Sequence, residues 1–308
     1  DHGSLDELEV KIHSDSIGYQ TYGFDRDSLY LSLIKDGSQN HFLGNAYVLI
    51  QTLALSENLH LSHVEFEPTA DANQVDYFLR ASQPEMGSSY VVSASTDFLA
   101  GGEINNSIHS AESKLVIRGK TWLFAPGSSI VRLLQKPPSL AKVNTDSTIS
   151  RYHIRGLKLT SAGQEISLGG VVSTDRLDMM NVDIRNLSIK NILEVLDNKL
   201  DIGGSVKFAT FGARNLLLGQ PAIYGSGEIV NFRYGRVDSI GMRFKGGWPD
   251  LKGKDYAGLG IEVGHWGQDS VTAHGWYNVK NDSLHFDADS SSLQLAWIEP
   301  FVQGILSE

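Results

Sequence analysis

The sequence predicts an all-β chain with two or three short helices, and three observations lead to this class. Apolar and polar residues alternate with a period of two through much of the 308 residues, which is typical of strands with one buried face. Turn sequences such as GQDS and KNDS recur about every 8 to 12 residues, the spacing of an antiparallel meander. Glycine occupies 31 positions, well above the usual ~7%, and this favours frequent turns and close backbone contacts.

The N-terminal third is predicted to consist of strands. Strand-like runs occupy residues 29–33, 47–55, 59–66 and 90–95, with breaks at residues 85–88 and at Gly101-Gly102. Residues 129–135 (SIVRLLQ) predict a short helix that ends before Pro137 and Pro138. The proline pair is also the best candidate for a domain boundary. Because no Pro/Ser-rich linker is present, we expect a continuous sheet rather than two independent cores.

The C-terminal half has the clearest periodicities. Ser188–Asn198 (SIKNILEVLDN) has its apolar residues on one helical stripe, with Ser188 as the N-cap, which predicts a helix of about three turns. Residues 297–306 are a further short helix candidate. The strands that follow residue 230 each have one apolar face. The apolar set of the last strands is Leu259, Ile261, Val263, Val271, Ala273, Leu284, Phe286, Leu293 and Leu295.

Composition argues against several classes of function. Lys and Arg number 26 against 36 Asp and Glu, for a formal net charge of −10, which argues against a sequence-independent grip on nucleic acid or on anionic membrane surfaces. Without cysteine, the chain has no disulfide, thiolate zinc site, iron–sulfur cluster or cysteine nucleophile. The most apolar stretch, residues 46–55, is about half of the ~20 residues that a membrane-spanning helix needs.

No specific catalytic, metal or cofactor motif is found, so we predict a protein that is not an enzyme and needs no cofactor. Residues 60–67 hold two histidines and two glutamates, but on a strand His60 and His63 point to opposite faces, which argues against a shared metal. His265, His274 and His285 fall in three successive predicted strands. We interpret them as solvent-facing, because no carboxylate recurs at a fixed offset to orient them.

A series of motifs in the second half of the chain resembles a known family. In chain order they are Leu168-Gly169-Gly170, the helix at 188–198, Ile202-Gly203-Gly204, Pro221, Gly227-Glu228-Ile229-Val230, Glu299-Pro300-Phe301 and Ile305-Leu306-Ser307. This order resembles the TamB-like branch of the AsmA-type large periplasmic proteins of Gram-negative bacteria. The resemblance covers about residues 118–308, whereas residues 1–117 fit only in being strand-rich and are assigned to the same extended sheet.

The resemblance implies an elongated, curled β-sheet, a taco-like trough with an apolar concave face. It implies that the chain is an internal fragment of a periplasmic protein that is anchored in the inner membrane and reaches the outer membrane. The implied function is to carry phospholipid along a hydrophobic groove in support of outer-membrane biogenesis. The implied partners are phospholipid acyl chains, lying on the apolar set from Leu259 to Leu295, and an outer-membrane barrel protein of the BamA/TamA-like type. No nucleic acid is expected.

Two other functions stay open from the sequence. In one, the trough or its edge strands serve as a scaffold for the assembly of outer-membrane proteins of the autotransporter type, by strand addition to the barrel partner. In the other, surface aromatic side chains such as Trp248, Trp266 and Trp276 make a secreted carbohydrate-binding protein. The apolar set also suits the closed core of a sandwich or barrel. The alternation alone favours such a closed core, whereas the resemblance argues against it.

Overall fold

A computed structural model describes residues 7–19, 22–36, 41–56, 59–135, 149–173, 178–195, 201–216, 221–234, 237–249, 253–264 and 270–290. Nearly all elements in these ranges are antiparallel strands, so the predicted all-β class is confirmed. The chain divides into two compact units, unit 1 (residues 1–161) and unit 2 (residues 162–308).

Unit 1 begins with a long antiparallel meander. The strands of unit 1 are β1 (Glu7–Tyr19), β2 (Tyr22–Asp36), β3 (His41–Ser56), β4 (Leu59–Asp71), β5 (Gln74–Gln83), β6 (Ser88–Phe98), β7 (Ile104–Ile108), β8 (Lys114–Ile117), β9 (Lys120–Phe124), β10 (Ser129–Gln135) and β11 (Ile149–Ser161). From β1 to β6, each strand pairs with the next one along the chain. The four strand runs predicted in this region lie inside β2, β3, β4 and β6, and 3-10 turns occupy Pro84–Met86 and Ala100–Gly102, at the two predicted breaks.

The sheet of unit 1 splits after β6. One half of β6 pairs with β7 and the other half with β8. Strand β7 pairs with β10 and β8 with β9, and both β10 and β9 then pair with β11. Two narrow strand pairs therefore lie side by side between β6 and β11.

The helix predicted at residues 129–135 is wrong, because this segment forms strand β10. Its backbone pairs with β7 on one side and with β11 on the other, which supplies hydrogen bonds that a short isolated helix would have to find within itself. The β-branched Ile130 and Val131 fit a pleated sheet, and Val131 is buried there. Tertiary pairing therefore decides this segment. Pro137 and Pro138 lie outside the described residues.

Unit 2 is an antiparallel meander with one α-helix in its described residues. Its elements are β12 (Gln164–Ser173), β13 (Met179–Ser188), α1 (Ile189–Val195), β14 (Ile202–Arg214), β15 (Ala222–Tyr234), β16 (Val237–Trp248), β17 (Tyr256–Gly264), β18 (Ser270–Asn278) and β19 (Ser283–Ser290). From β12 to β19, each strand pairs with the next. Helix α1 lies within the predicted segment 188–198, and the candidate helix at 297–306 lies outside the described residues.

A small core lies near one end of β15 and β16. Phe232 and Ile240 oppose each other across these two strands and are buried. The partly buried apolar side chains that pack around them are Ile189, Ile202, Ile229, Tyr234, Met242, Val263 and Val271. Because Ile189 belongs to α1, the helix contributes to the cover of this core.

Candidate functional site

The register of unit 2 places apolar residues in rows that run across the strands. Residues paired across antiparallel strands lie on the same face of the sheet. One row joins a residue from each of six consecutive strands, and it consists of Phe211, Gly225, Gly246, Leu259, Gly275 and Phe286. The next row consists of Ile184, Ala209, Gly227, Phe244, Ile261, Ala273 and Ala288. We call the surface made by these two rows the apolar face of unit 2.

Two glycines of β15 allow aromatic rings to lie flat on the middle of this face. The Phe211 and Phe244 rings meet across β15 with their centroids 6.1 Å apart. A Cβ atom at Gly225 would collide with the Phe211 ring, and one at Gly227 would come within 2.8 Å of Cε1 of Phe244. The glycines are therefore required because the rings occupy the space that side chains would fill.

The predicted lipid-binding residues lie on this face or directly beside it, but they differ in exposure. Leu259, Phe286 and Leu284 are 48%, 58% and 73% exposed, so the apolar face is open at β17 and β19. Ala273 is buried, and Val263 and Val271 pack against the core around Phe232 and Ile240. Ile261 is half-buried, and Leu293 and Leu295 lie outside the described residues.

The opposite face of unit 2 is polar and has a charge ladder at its centre. Glu228 of β15 is buried, and its carboxylate accepts hydrogen bonds from Lys207 Nζ at 2.9 Å and from Arg243 Nε at 3.3 Å. Arg243 also lies 3.6 Å from Glu262. The hydrogen bond from Lys207 lowers the pKa of Glu228, and the one from Arg243 acts in the same direction, while burial opposes them.

This lowered pKa predicts a loss of stability in acid. A carboxyl group whose pKa is lower in the folded state stabilises the fold above its unfolded pKa, and the stabilisation is lost as the pH falls through the folded pKa. We expect the unfolding temperature of unit 2 to be steady above about pH 4.5 and to fall as the pH drops below it, and Glu228→Gln to flatten this dependence. The measurement is thermal unfolding followed by circular dichroism. Glu262→Gln, on the same face and more exposed, should leave most of the dependence in place. Equal flattening by both variants would contradict the assignment.

The histidines are spread over different surroundings. His63 has a left-handed backbone (φ 51°) at a shift of register between Ser62 and Glu65, so the regular alternation assumed for this run does not hold there. His285 stacks on Trp276 with ring centroids 3.9 Å apart, and its Nε2 lies 3.0 Å from Asp287 Oδ2. His265 lies outside the described residues. In the described part of the chain, no three acidic or histidine side chains gather in a way that could hold a metal ion.

Sequence reasoning missed a cluster of hydroxyl groups around His109, at the split in the sheet of unit 1. The Ser93 hydroxyl donates to Glu112 Oε2 at 2.6 Å and lies 3.1 Å from His109 Nδ1, while His109 Nε2 lies 3.2 Å from Ser95 Oγ. In a catalytic Ser-His-Asp triad the imidazole lies between the hydroxyl and the carboxylate. Here the Ser93 hydroxyl lies between the His109 imidazole and the Glu112 carboxylate, so the order differs. Both serines are buried in β6, whereas His109 and Glu112 belong to the loop after β7. The cluster therefore joins this loop to β6. Only the pairing of distant segments reveals it.

The tryptophans considered for carbohydrate binding do not share one surface. Trp248 opposes Ile223, which lies on the same side of β15 as Gly225 and therefore on the apolar face. The Nε1 of Trp248 is buried with no hydrogen-bond partner. Trp276 opposes His285 on the polar face. Trp266 lies outside the described residues. The two described rings therefore do not form one stacking platform.

Unit 1 also has an apolar face, which the sequence did not single out. Phe66, Leu79 and Val92 oppose one another across β4, β5 and β6, and Tyr77 and Ala94 form the neighbouring pair. The Phe66 and Tyr77 rings contact each other at a centroid distance of 6.1 Å. The other face carries Glu65 and Arg80, which form an ion pair. Strands β4 to β6 of unit 1 thus also have one apolar and one polar face.

No described helix has both the length and the apolar character needed to cross a membrane. Comparison of the chain with protein-family models, with curated proteins and with solved structures finds no match in any of the three.

Proposed function

We propose that this chain binds phospholipid by its acyl chains on the apolar faces of its units, as a segment of a protein that carries lipid. The observation that supports this most directly is the exposure of Leu259, Leu284 and Phe286 on two strands of one sheet face. Exposed apolar patches of this kind mark surfaces for apolar ligands or partners. Each acyl methylene removed from water contributes ~0.8 kcal/mol, so the function requires apolar area and no catalytic group.

The arrangement of the strands suits an elongated ligand. Strands lie ~4.8 Å apart, so the six spacings from β13 to β19 give an apolar strip of about 29 Å across the strands. The flat Phe211 and Phe244 rings keep the middle of this strip free of projecting side chains. A curled trough, a periplasmic location between two membranes and a barrel partner are further parts of the proposal, and they derive from the resemblance of residues 118–308 to TamB-like proteins.

The test is whether the purified chain holds phospholipid. The chain, produced in a Gram-negative host and purified without detergent, should release phospholipid in native mass spectrometry and in thin-layer analysis of its extract. After delipidation it should take up a fluorescent phospholipid from vesicles. A chain that holds no lipid and takes up none would refute the proposal. Capture of an outer-membrane barrel protein by the lipid-free chain would instead support a function as a scaffold for outer-membrane protein assembly.

A further inference from the structure

An arginine stands on the apolar face of unit 1. Arg132 of β10 opposes Ile104 of β7 on one side and Tyr152 of β11 on the other. Ile104 in turn opposes Phe98 of β6, which lies two residues beyond Thr96 and four beyond Ala94 on the same side of the strand. The row is therefore Phe98, Ile104, Arg132 and Tyr152, and it continues the face that carries Tyr77 and Ala94.

The Arg132 guanidinium has no anionic partner in the described part of the chain. Its Nε is buried and makes no hydrogen bond, and its Cζ lies 5.9 Å from the centroid of the Tyr152 ring. Arg80 provides the comparison within the same unit. Its Cζ lies 5.2 Å from the Phe78 ring, but its Nη1 also lies 2.8 Å from Glu65 Oε2, and it belongs to the polar face.

Arg132 is half-buried, and its buried Nε lacks an acceptor, which an anionic ligand can supply. Removing a charged donor from water without a partner costs free energy, and a cation–π contact recovers only part of it. The planar guanidinium matches the oxygens of a phosphate group, with which it forms two parallel charge-assisted hydrogen bonds. The row neighbours Phe98 and Ile104 are apolar, and the polar Thr96 and Asn106 of the next row are hydrogen-bonded to each other. The anion that fits best is therefore one attached to a hydrocarbon body.

We propose that Arg132 binds the phosphate of a phospholipid headgroup, while the acyl chains of the same lipid lie on the apolar face of unit 1. This inference rests on the proposed function and adds the group that recognises the lipid. The half-exposed Phe98 supplies the first acyl contact beside the headgroup. Arg132 thus gives this face a preference for phospholipid over uncharged lipid.

The experiment measures binding of three probes to the delipidated chain: a short-chain phosphatidylglycerol, a diacylglycerol with the same acyl chains, and inorganic phosphate. The wild-type chain should bind the phospholipid about tenfold or more tightly than the diacylglycerol, because only the former offers a phosphate for charge-assisted hydrogen bonds. Arg132→Met should remove this preference and leave diacylglycerol binding unchanged. Arg80→Met, which removes the same charge from the polar face, should keep the preference.

Each outcome decides the inference. The headgroup assignment is wrong if the wild-type chain binds both lipids equally, a result that does not depend on the folding of any variant. It is also wrong if Arg80→Met loses the preference as fully as Arg132→Met. Inorganic phosphate bound as tightly as the phospholipid would show a free-anion site instead. A chain that binds neither lipid refutes the proposed function itself, and the inference with it. Because Arg132 has no described partner anion, Arg132→Met should keep or raise the unfolding temperature.

Discussion

Replacing Leu259 and Phe286 together with aspartate is expected to abolish phospholipid capture by unit 2 while the unit still folds. The two side chains belong to one row and are separated by Gly275, over which the Phe286 ring lies. They are therefore neighbours along one row of the apolar face. Losing contact with about four acyl methylenes costs ~3 kcal/mol, which is more than a hundredfold in affinity. Two carboxylates at this place add a desolvation cost.

The expected folding cost is small, because both side chains are about half exposed. The matched control is the pair Phe208→Asp and Tyr224→Asp, which changes the net charge by the same amount. Phe208 and Tyr224 are exposed aromatic residues of β14 and β15 on the polar face. Uptake of fluorescent phospholipid from vesicles and the circular dichroism spectrum are the two measurements. If both double variants lower uptake equally, or if neither lowers it, the apolar face of unit 2 is not a binding surface.

Ile240→Ala is expected to give the largest loss of stability among single substitutions on the sheet of unit 2. Ile240 is 1% exposed and lies opposite Phe232 in the core that Ile189 of α1 helps to cover. Truncating a fully buried isoleucine leaves a cavity and costs about 2 to 5 kcal/mol. Chemical denaturation followed by circular dichroism should show the lower free energy of unfolding. Hydrogen exchange should place the lost protection in β15 and β16.

Ile223→Ala is the control for this prediction. Ile223 belongs to the same sheet but is about half exposed, so its truncation should cost about 1 kcal/mol or less. Equal losses for the two variants would mean that the core of unit 2 does not lie around Phe232 and Ile240. If Ile240→Ala lowers the free energy of unfolding but leaves lipid uptake under folding conditions unchanged, the core and the binding face are distinct parts of the sheet.

The strands were predictable because their signal is local. A period of two places apolar residues on one face, and the residues of β17, β18 and β19 follow it without a break in register. The helix α1 was predictable for the same reason, from the stripe in residues 188–198. The signal failed at residues 129–135, which are too short for a period to decide and which obtain their hydrogen bonds from β7 and β11.

The candidate site was only partly predictable. The sequence identified Leu259, Phe286 and Leu284 as apolar-face residues, but it could not show that they are exposed while Ala273 is buried. It also missed Arg132, because nothing local distinguishes one arginine in a short strand from another. The contrast with Arg80 depends on the segments that pair with each strand, which are distant along the chain.

The sequence by itself determined the all-β class, the alternation of apolar and polar faces and the absence of cysteine chemistry, since these depend on composition and on neighbours along the chain. The tertiary structure alone decided the split of the sheet after β6 and the packing of the Phe211 and Phe244 rings over Gly225 and Gly227. It also decided that Arg132 lies on a sheet face where the described residues offer it no anionic partner. Each of these depends on which strands pair and in what register. In an antiparallel sheet, a shift by one residue moves every side chain to the other face, so the register decides which residues meet.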